Sequence, residues 1–511
     1  MEYVLTNAQM READEYTIKT LGVPAAELME RAGRALADEA ESLLDLRGKR
    51  IRERVLCVCG GGNNGGDGFV CARLLNARGV EADVVFFAEK TSAECREAKE
   101  KFLSAGGRMD TEMPETGYAV VVDCLLGTGF HGALSPALER TVNAINALKE
   151  RGAKVLSADI PSGVNGDNGE VGAAAVKADE TLCIGEKKAG VYLGDGIDRA
   201  GMALRADIGI SLPKPPNRYA VLLTDKTVRA LLPKRKRHSN KGTFGRAAIV
   251  AGSLEYTGAA YLATAACLRA GAGYTTLFTP AEILPYYMLK APEALLAPLC
   301  EGKRAVFSER FEKLLSYDCI AYGMGMGVSE EVAKGAEYLL GAYTGKLILD
   351  ADGLNSLAAY REAELKRIFN AKTCDVVITP HVKEFSRLSG ESVRSVTEKG
   401  LSAPVGFAKE HGVCVLLKDA VSLISDGEKT YVNAAGTSGQ AKGGSGDVLA
   451  GVVAGLCASG ISPFDGACVA AYIVGKAAEL ACGKIGEYSL TASDLIAYLG
   501  AAFLEISRNQ E

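Results

Sequence analysis

The chain has 511 residues, 48% of them hydrophobic and 24% charged, which is enough for two or more domains with cores of their own and excludes global disorder. A formal net charge of -5 and an aromatic content of 6% without tryptophan argue against a bulk polyanion partner or a base-stacking platform, so no nucleic-acid partner is expected. The 14 cysteines sit mostly inside apolar runs such as VLCVC and YDCIAYG with no metal-ligand cadence, which reads as buried reduced thiols.

The opening stretch MEYVLTNAQMREADEYTIK is charged and has no apolar signal core, and no run reaches the length of a membrane span. A cytoplasmic protein without membrane contact is expected. The first ~50 residues read as helices, TNAQMREADEYTIKTLG and PAAELMERAGRALADEAES, with Asn or Pro at their starts and Gly at a stop. Such helices either pack across the following sheet or form a subunit contact in a homo-oligomer.

From Arg54 the pattern is strand, glycine turn, helix, strand: RVLCVC, GGGNNGGDG, FVCARLLNARG and ADVVFFA. This is a βαβ unit, whose chirality and burial rules favour a mostly parallel sheet with helices on both faces. A helix over 92–105, the strand YAVVVDCLLG, a helix over 136–150 and the strand AKVLSADIP extend it. Its polar loops follow strand ends, where open α/β sheets bind ligands. Then ISLPKPPN packs three prolines into a few positions, which places a boundary between domains 1–212 and 220–511. The basic run KRKRH over 234–238 reads as a solvated linker edge, with a contact to substrate phosphate as the alternative and nucleic acid least favoured. A second α/β series follows, AAIVAG, YTTLFTP, YDCIAYG, KLILDADGLN, VVITPH and VCVLLKDAVSLIS, before long apolar helical patterns from Asp447 to the end.

Two glycine-rich turns that contain an acid stand out, residues 60–68 and GQAKGGSGD over 439–447. Glycine lets the backbone approach an anion and turn its N–H groups inward, while the following helix start adds the positive end of its dipole. The first turn is neither G-x-G-x-x-G nor a loop ending in G-K-[ST], and a tight strand-to-helix turn is its bland reading. At the next two strand ends, Asp123 precedes GTGFHG and Asp159 precedes Pro-Ser-Gly. Oxygens and amides from three strand tips suit a hard monovalent cation beside a phosphorylated substrate. Asp123 also reads as a loop hydrogen-bonder, and Asp159 as a general base. In the second turn, Asp447 follows the Gly-Gly-Ser-Gly cradle, pairing an anion hole with a carboxylate able to take a hydroxyl proton; a plain N-cap is the alternative.

The order GGGNNGGDG, VDCLLGTGFHG, SADIPSGV, VKADETLCIGEKKAG resembles the epimerase domain of the hydrated nicotinamide cofactor repair family, over residues 1–212. The resemblance implies a Rossmann-like three-layer α/β/α fold, potassium held by Asn64, Asp123 and Ser162, and Asp159 as the base facing the hydrated nicotinamide. It places the dinucleotide phosphates on Asn63, Asn64, Gly65, Gly66 and Asp67 and on Gly127, Thr128, Gly129, Phe130, His131, Gly132 and Ala133. Lys177 or Lys188 assists electrostatically, or is simply solvated. The implied reaction interconverts the R and S hydrates.

Beyond about residue 220, KGTFGRAAIVAGS, TGAAYLATAACLRAGAG, LILDADGLN, TPH and GGSGDVLAG resemble the nucleotide-dependent dehydratase of the same family, a ribokinase-like α/β fold. The resemblance makes Asp447 the catalytic acid/base and places the hydrated cofactor by Ala259, Gly325 and His381. It places ADP or ATP by Lys418, Asp419, Ala420, Val421 and Ser422 and by Gly443, Gly444, Ser445 and Gly446. A magnesium ion is expected with the donor phosphates, with Asp350, Asp352 and Asn355 as indirect candidates. His381 also reads as a satisfied loop residue. Two departures concern loop rigidity: TPHVKEF lacks the family's Pro-Gly after the histidine although Glu384 remains, and NAAGTSGQ has alanines where the family carries a proline-bearing loop. The rival readings are a small-molecule alcohol kinase with an accessory first domain, and a nucleotide-sensing module without turnover.

Overall fold

The computed structural model describes residues 1–45, 53–130, 132–214 and 218–508, so His131 lies outside the described residues. The chain forms two compact units that divide between Tyr219 and Ala220. The first unit thus runs past the expected end at residue 212. Tyr219 is buried, packs on Tyr3 and Leu5, and donates its hydroxyl to the Pro213 carbonyl at 3.0 Å.

The first unit opens on strand β1 (Tyr3–Leu5) rather than on a helix. Thr6 then starts the helix Asn7–Glu15 with a capping box: its hydroxyl accepts the Gln9 N–H and the Gln9 side chain accepts the Thr6 N–H. The helix Ala25–Asp45 follows Pro24. The main strands are β2 (Val55–Cys59), β3 (Ala82–Phe86), β4 (Met109–Asp110), β5 (Val120–Cys124), β6 (Lys154–Ala158) and β7 (Glu180–Ile184), with β8 (Lys187–Lys188) and β9 (Met202–Ala206) after them. They order as β4-β3-β2-β5-β6-β7-β9, all parallel, while β8 pairs with β1. The period-two alternation of VLCVC shows directly. Val55, Cys57 and Cys59 face one buried cluster with Leu36 and Phe69; Leu56 and Val58 face another with Val142 and Ile145. Each fully buried side chain of this kind contributes roughly 1.5–3 kcal/mol.

The second unit contains β10 (Ala220–Leu222), β11 (Arg246–Val250), β12 (Tyr274–Thr279), β13 (Leu295–Pro298), β14 (Cys319–Tyr322) and β15 (Lys346–Leu349). It continues with β16 (Asp375–Ile378), β17 (Cys414–Leu417), β18 (Ser422–Ser425) and β19 (Thr430–Asn433). Their order is β13-β12-β11-β14-β15-β16-β17-β18-β19-β10, parallel except for the antiparallel pairs of β18 with β17 and β19. The helices Thr257–Arg269 and Ser445–Ala458 lie side by side. Gly451 and Gly455 let the second meet the Ala263 and Cys267 carbonyls where any Cβ would collide.

The helix Pro463–Ile485 corrects one expectation, because it is long and apolar enough to cross a membrane by length and composition. Of its most apolar window 72% is buried inside the unit, so core packing accounts for its apolarity. All 14 cysteines are free, and all but Cys482 are buried.

Candidate active sites

In the first unit the functional side chains gather where β2, β5 and β6 end. The helix after β2 starts at Asn63, so NNGGDG forms its first turns instead of a loop leading into it. This changes what its glycines do. A Cβ at Gly65 would strike the Gly60 carbonyl, one at Gly66 would sit 2.5 Å from the Met29 methyl, and one at Gly68 2.6 Å from Cys59 Sγ. Gly65 and Gly66 therefore serve helix packing, and the anion-facing part is the N-terminus. There the Asn63, Asn64 and Gly65 N–H groups make no backbone hydrogen bond among the described residues, and Asn63 is exposed. Gly127 comes close enough that a Cβ would be 3.3 Å from that of Asn64. The rest of this loop, Thr128, Gly129, Phe130, Gly132 and Ala133, is partly or fully exposed beside it.

Asn64, Asp123 and Ser162 are brought together. Asn64 donates to the Leu126 and Ala158 carbonyls at 2.8 and 3.1 Å, which leaves its buried Oδ1 without a partner among the described residues. Asp123 is fully buried and accepts from Ser157 Oγ at 2.9 Å and from Ser162 N and Oγ at 2.9 and 2.6 Å. Burial pushes the Asp123 carboxyl up, and the hydrogen bonds from Ser162, Ser157 and Leu125 oppose that. An orphaned amide oxygen beside a carboxylate, a hydroxyl and the Leu126 carbonyl is a hard oxygen donor set that fits a monovalent cation.

Asp159, just past β6, sits at φ 70°, a backbone strain that a non-glycine residue bears only where the surroundings impose it. Its Oδ1 accepts the Ile184 N–H at 3.0 Å and is ion-paired to Lys188, whose ammonium also donates to the Ile184 carbonyl at 2.6 Å. The Oδ2 makes no hydrogen bond among the described residues. Of the two lysines considered, Lys188 reaches the acid, whereas Lys177 is exposed. Two further carboxyls share this field. Asp67 is pushed well up by burial, then by Asp159 and Asp14, against the pull of Lys188. Asp14 is pushed up to about 6 by burial, with Lys188 lowering and Asp159 raising it. Sequence reasoning missed Asp14. It lies on the helix Asn7–Glu15, about 145 positions before its neighbour, and no local spacing signals it.

In the second unit the residues collect at one edge of the parallel sheet. Asp350 follows β15, His381 follows β16, Lys418 follows β17 and Gly325 follows β14. The helix Ser445–Ala458 begins at Gly444, whose φ of 99° favours glycine. The Gly446 and Asp447 N–H groups have no backbone acceptor there, and Gly443 is exposed beside them. A Cβ at Gly446 would be 3.3 Å from the Lys418 ammonium and 3.9 Å from Asp350 Oδ2, which puts cradle, cation and carboxylate in contact. Lys418 donates to Asp350 Oδ1 at 2.8 Å. Burial alone would lower Lys418, but Asp350, Glu384 and Asp447 outweigh it and hold the ammonium charged. Asp447 is pushed up to about 7, first by burial, then by Asp350, with Lys418 opposing. A carboxyl poised there matches the proton transfer that a base at neutral pH performs.

Ala259 and Gly325 meet directly: a Cβ on Gly325 would lie 2.8 Å from that of Ala259. His381 is the N-cap of the helix Val382–Ser389. Its Nδ1 accepts the Lys383 and Glu384 N–H groups at 3.1 and 3.2 Å, and Glu384 returns a bond to the His381 N–H at 2.9 Å. This capping box shapes the turn that lacks Pro-Gly, and it sets His381 Nε2 3.6 Å from Glu384 Oε1. The Lys418 N–H donates to the Pro380 carbonyl at 2.8 Å, fixing the His381 turn against the start of the 418–421 turn. Asp419 and Ala420 are exposed, Val421 is buried, and Ser422 opens β18. The residues considered behind a divalent ion are already engaged: Asp350 by Lys418, Asp352 by the Gly327 N–H at 2.8 Å, and Asn355 by Arg387 at 2.8 Å. No group of three metal-ligating His, Cys, Asp or Glu side chains occurs among the described residues.

Residues 25–190 match the family described as YjeF-related protein N-terminus, and residues 247–500 the family described as NAD(P)H-hydrate dehydratase. Both matches lie on one chain, and relatives align over nearly its full length. A bifunctional NAD(P)H-hydrate repair enzyme of Thermofilum pendens is 33% identical over 99% of this chain and 97% of its own. One of Moorella thermoacetica is 32% identical over 97% and 96%. The chain belongs to the bifunctional NAD(P)H-hydrate repair family. Its first unit is Rossmann-like and its second a ribokinase-like α/β unit. Among solved structures, the ADP/ATP-dependent NAD(P)H-hydrate dehydratase of Bacillus subtilis is 28% identical, covers 56% of this chain and 99% of its own, and superposes with a TM-score of 0.49.

Proposed function

We propose that this member of the family restores hydrated nicotinamide dinucleotides at two sites. The first unit interconverts the R and S hydrates, and the second removes water from the S hydrate with ADP or ATP as phosphoryl donor. The observation that carries the reading is Asp447, held near neutrality at a helix start whose amides are unpaired, beside the Lys418–Asp350 pair.

In the first unit, loss of hydroxide from the hydrate leaves a cation stabilised by the ring nitrogen, which water attacks from either face. Asp159 Oδ2 either protonates the departing hydroxyl or activates the returning water, while Lys188 and the Ile184 N–H hold Oδ1 and fix the carboxylate plane. The free N–H groups of Asn63, Asn64 and Gly65 receive a phosphate, as amides at a helix start do. Asn64 Oδ1, Asp123 and Ser162 are the residues that would hold potassium, which supplies fixed positive charge beside the dinucleotide.

In the second unit, hydroxide is a poor leaving group and phosphate a good one. Asp447 takes the hydroxyl proton as the oxygen attacks the donor phosphorus, and the Gly446 and Asp447 amides with Lys418 stabilise the phosphoryl oxygens. The ring nitrogen then expels phosphate and a proton leaves the adjacent carbon, giving the dihydronicotinamide. His381, Ala259 and Gly325 border the hydrate. Magnesium would arrive with the donor phosphates, since the nearby carboxylates form no ligand cluster of their own, and no step assigned to the protein depends on it.

The test is ultraviolet absorbance of the dihydronicotinamide after adding the purified protein to separated S and R hydrates with ADP or ATP. Donor-dependent recovery from both epimers is expected. A stable phosphorylated product without recovery would transfer the second unit to the small-molecule alcohol kinases.

A further inference from the structure

The basic run that the sequence left as a linker edge lines a cavity of about 990 Å³ in the second unit. Pro233 follows the helix Asp225–Leu231, and the chain then passes through KRKRH over the C-terminal ends of three helices. Two arginines serve those ends: Arg229 donates to the Ile506 carbonyl at 2.8 Å and Arg235 to the Gly271 carbonyl at 3.3 Å. The Arg235 guanidinium also stacks 3.5 Å from the Phe244 ring centre. Lys234, Lys236, His238 and Arg269 remain on the wall. None of them has an ion-pair partner among the described residues, and no Asp or Glu lines the cavity. Elsewhere on this acidic chain exposed lysines such as Lys101, Lys334 and Lys366 each hold a glutamate. The lining also carries apolar side chains, Leu232, Leu456, Ile461 and Phe503, besides the Phe244 ring on which Arg235 stacks.

Like charges gathered around a concave surface repel one another, and an anion relieves that repulsion. Helix-end carbonyls explain Arg229 and Arg235, not Lys234, Lys236 and Arg269. The volume is that of a small-molecule site, about 300–1,000 Å³. Leu456 and Ser459 stand at the far end of the helix that begins beside Asp447, roughly 20 Å away by helix rise, so this is not the catalytic cradle. We infer that this cavity is a second ligand site, for an organic phosphate that carries two or more phosphoryl charges on an aromatic or apolar body. The phosphoryl groups meet Lys234, Lys236 and Arg269, and the body lies on the Phe244 and Phe503 side.

His238 reports on the site, because the chain has only 4 histidines. Carbon-labelled histidine NMR of the full chain, with His238→Gln identifying the signal, is titrated with ADP. The expected result is a saturable shift of the His238 signal that weakens about tenfold or more in affinity in the Lys236→Ala/Arg269→Ala variant, while the His381 response is retained as the control for an intact fold. Any of four results overturns the inference. They are an unmoved His238 signal at millimolar ADP, an equal shift in the variant, an equal response to inorganic pyrophosphate, or a shift that follows protein concentration without ligand because a second copy covers this face.

Discussion

The two candidate sites use the same architecture, a parallel-sheet edge with a helix start aimed at a phosphate, yet they treat their acids differently. In the first unit the cation is in contact with the acid itself: Lys188 is ion-paired to Asp159, and the strained backbone at φ 70° is held by that pair and the Ile184 N–H. In the second unit the cation is bound to a neighbour. Lys418 holds Asp350, and the half-buried Asp447 feels that second carboxylate. One acid is fixed in orientation by its cation and a backbone N–H. The other is pushed up to about 7 by burial and by the neighbouring Asp350.

The sharpest way to break the comparison is to remove each acid alone. Asp447→Asn should lower donor-dependent recovery from either epimer by about 10³-fold, with R–S exchange, followed by chromatographic separation of the hydrates, unaffected. Next comes the buried cation of the first unit. Lys188→Met should slow exchange by about 10²-fold and, by leaving Asp159 unpaired, cost the first unit about 3–5 kcal/mol in denaturant unfolding, while dehydration of pure S hydrate stays as it was.

The pH dependence separates the sites further. Dehydration should rise as pH passes through about 7, where Asp447 becomes a base, and Lys418→Met should move that limb to higher pH because Lys418 lowers Asp447. The folded-state value lies above the ordinary 3.8, so the stability this group contributes is complete below that value and is lost as pH rises through about 7. Asp447→Asn should therefore be more stable than the parent above pH 7, by up to about 4 kcal/mol in unfolding at matched pH. Asp14→Asn should have a smaller effect. It removes a group titrating at about 6, so the exchange profile loses its inflection there, with less than about tenfold change in rate. Smallest is Glu384→Ala, which deletes half of the capping box behind His381 and should cost about 1 kcal/mol of thermal stability.

Much of this was legible because the informative signals are local. Strands such as VLCVC and VVVDC alternate faces within five residues, and both glycine turns follow strands. The roles of single glycines were not legible. Gly65 and Gly66 read as an anion cradle, yet their partners, the Gly60 carbonyl and the Met29 side chain, become visible only when the helix is laid on its neighbours. The strand Tyr3–Leu5 was missed because three residues carry no periodicity of their own and gain strand form by pairing with Lys187–Lys188. Asp14 was missed for the same reason at the level of chemistry, since its significance comes from Lys188 and Asp159 far along the chain. At His381 the sequence showed a missing Pro-Gly and Glu384 in place; only the geometry shows the imidazole taking the capping role usually filled by Ser, Thr or Asp.

The central claim is that two independent sites, each with its own acid, recover the whole damaged pool. It is tested most directly by mixing Asp159→Asn and Asp447→Asn proteins, each unable alone to recover R hydrate, and following dihydronicotinamide absorbance with donor present. The account predicts that the mixture recovers R hydrate at a rate approaching that of the parent protein. A mixture as inactive as its separate components, with both variants folded, would contradict it.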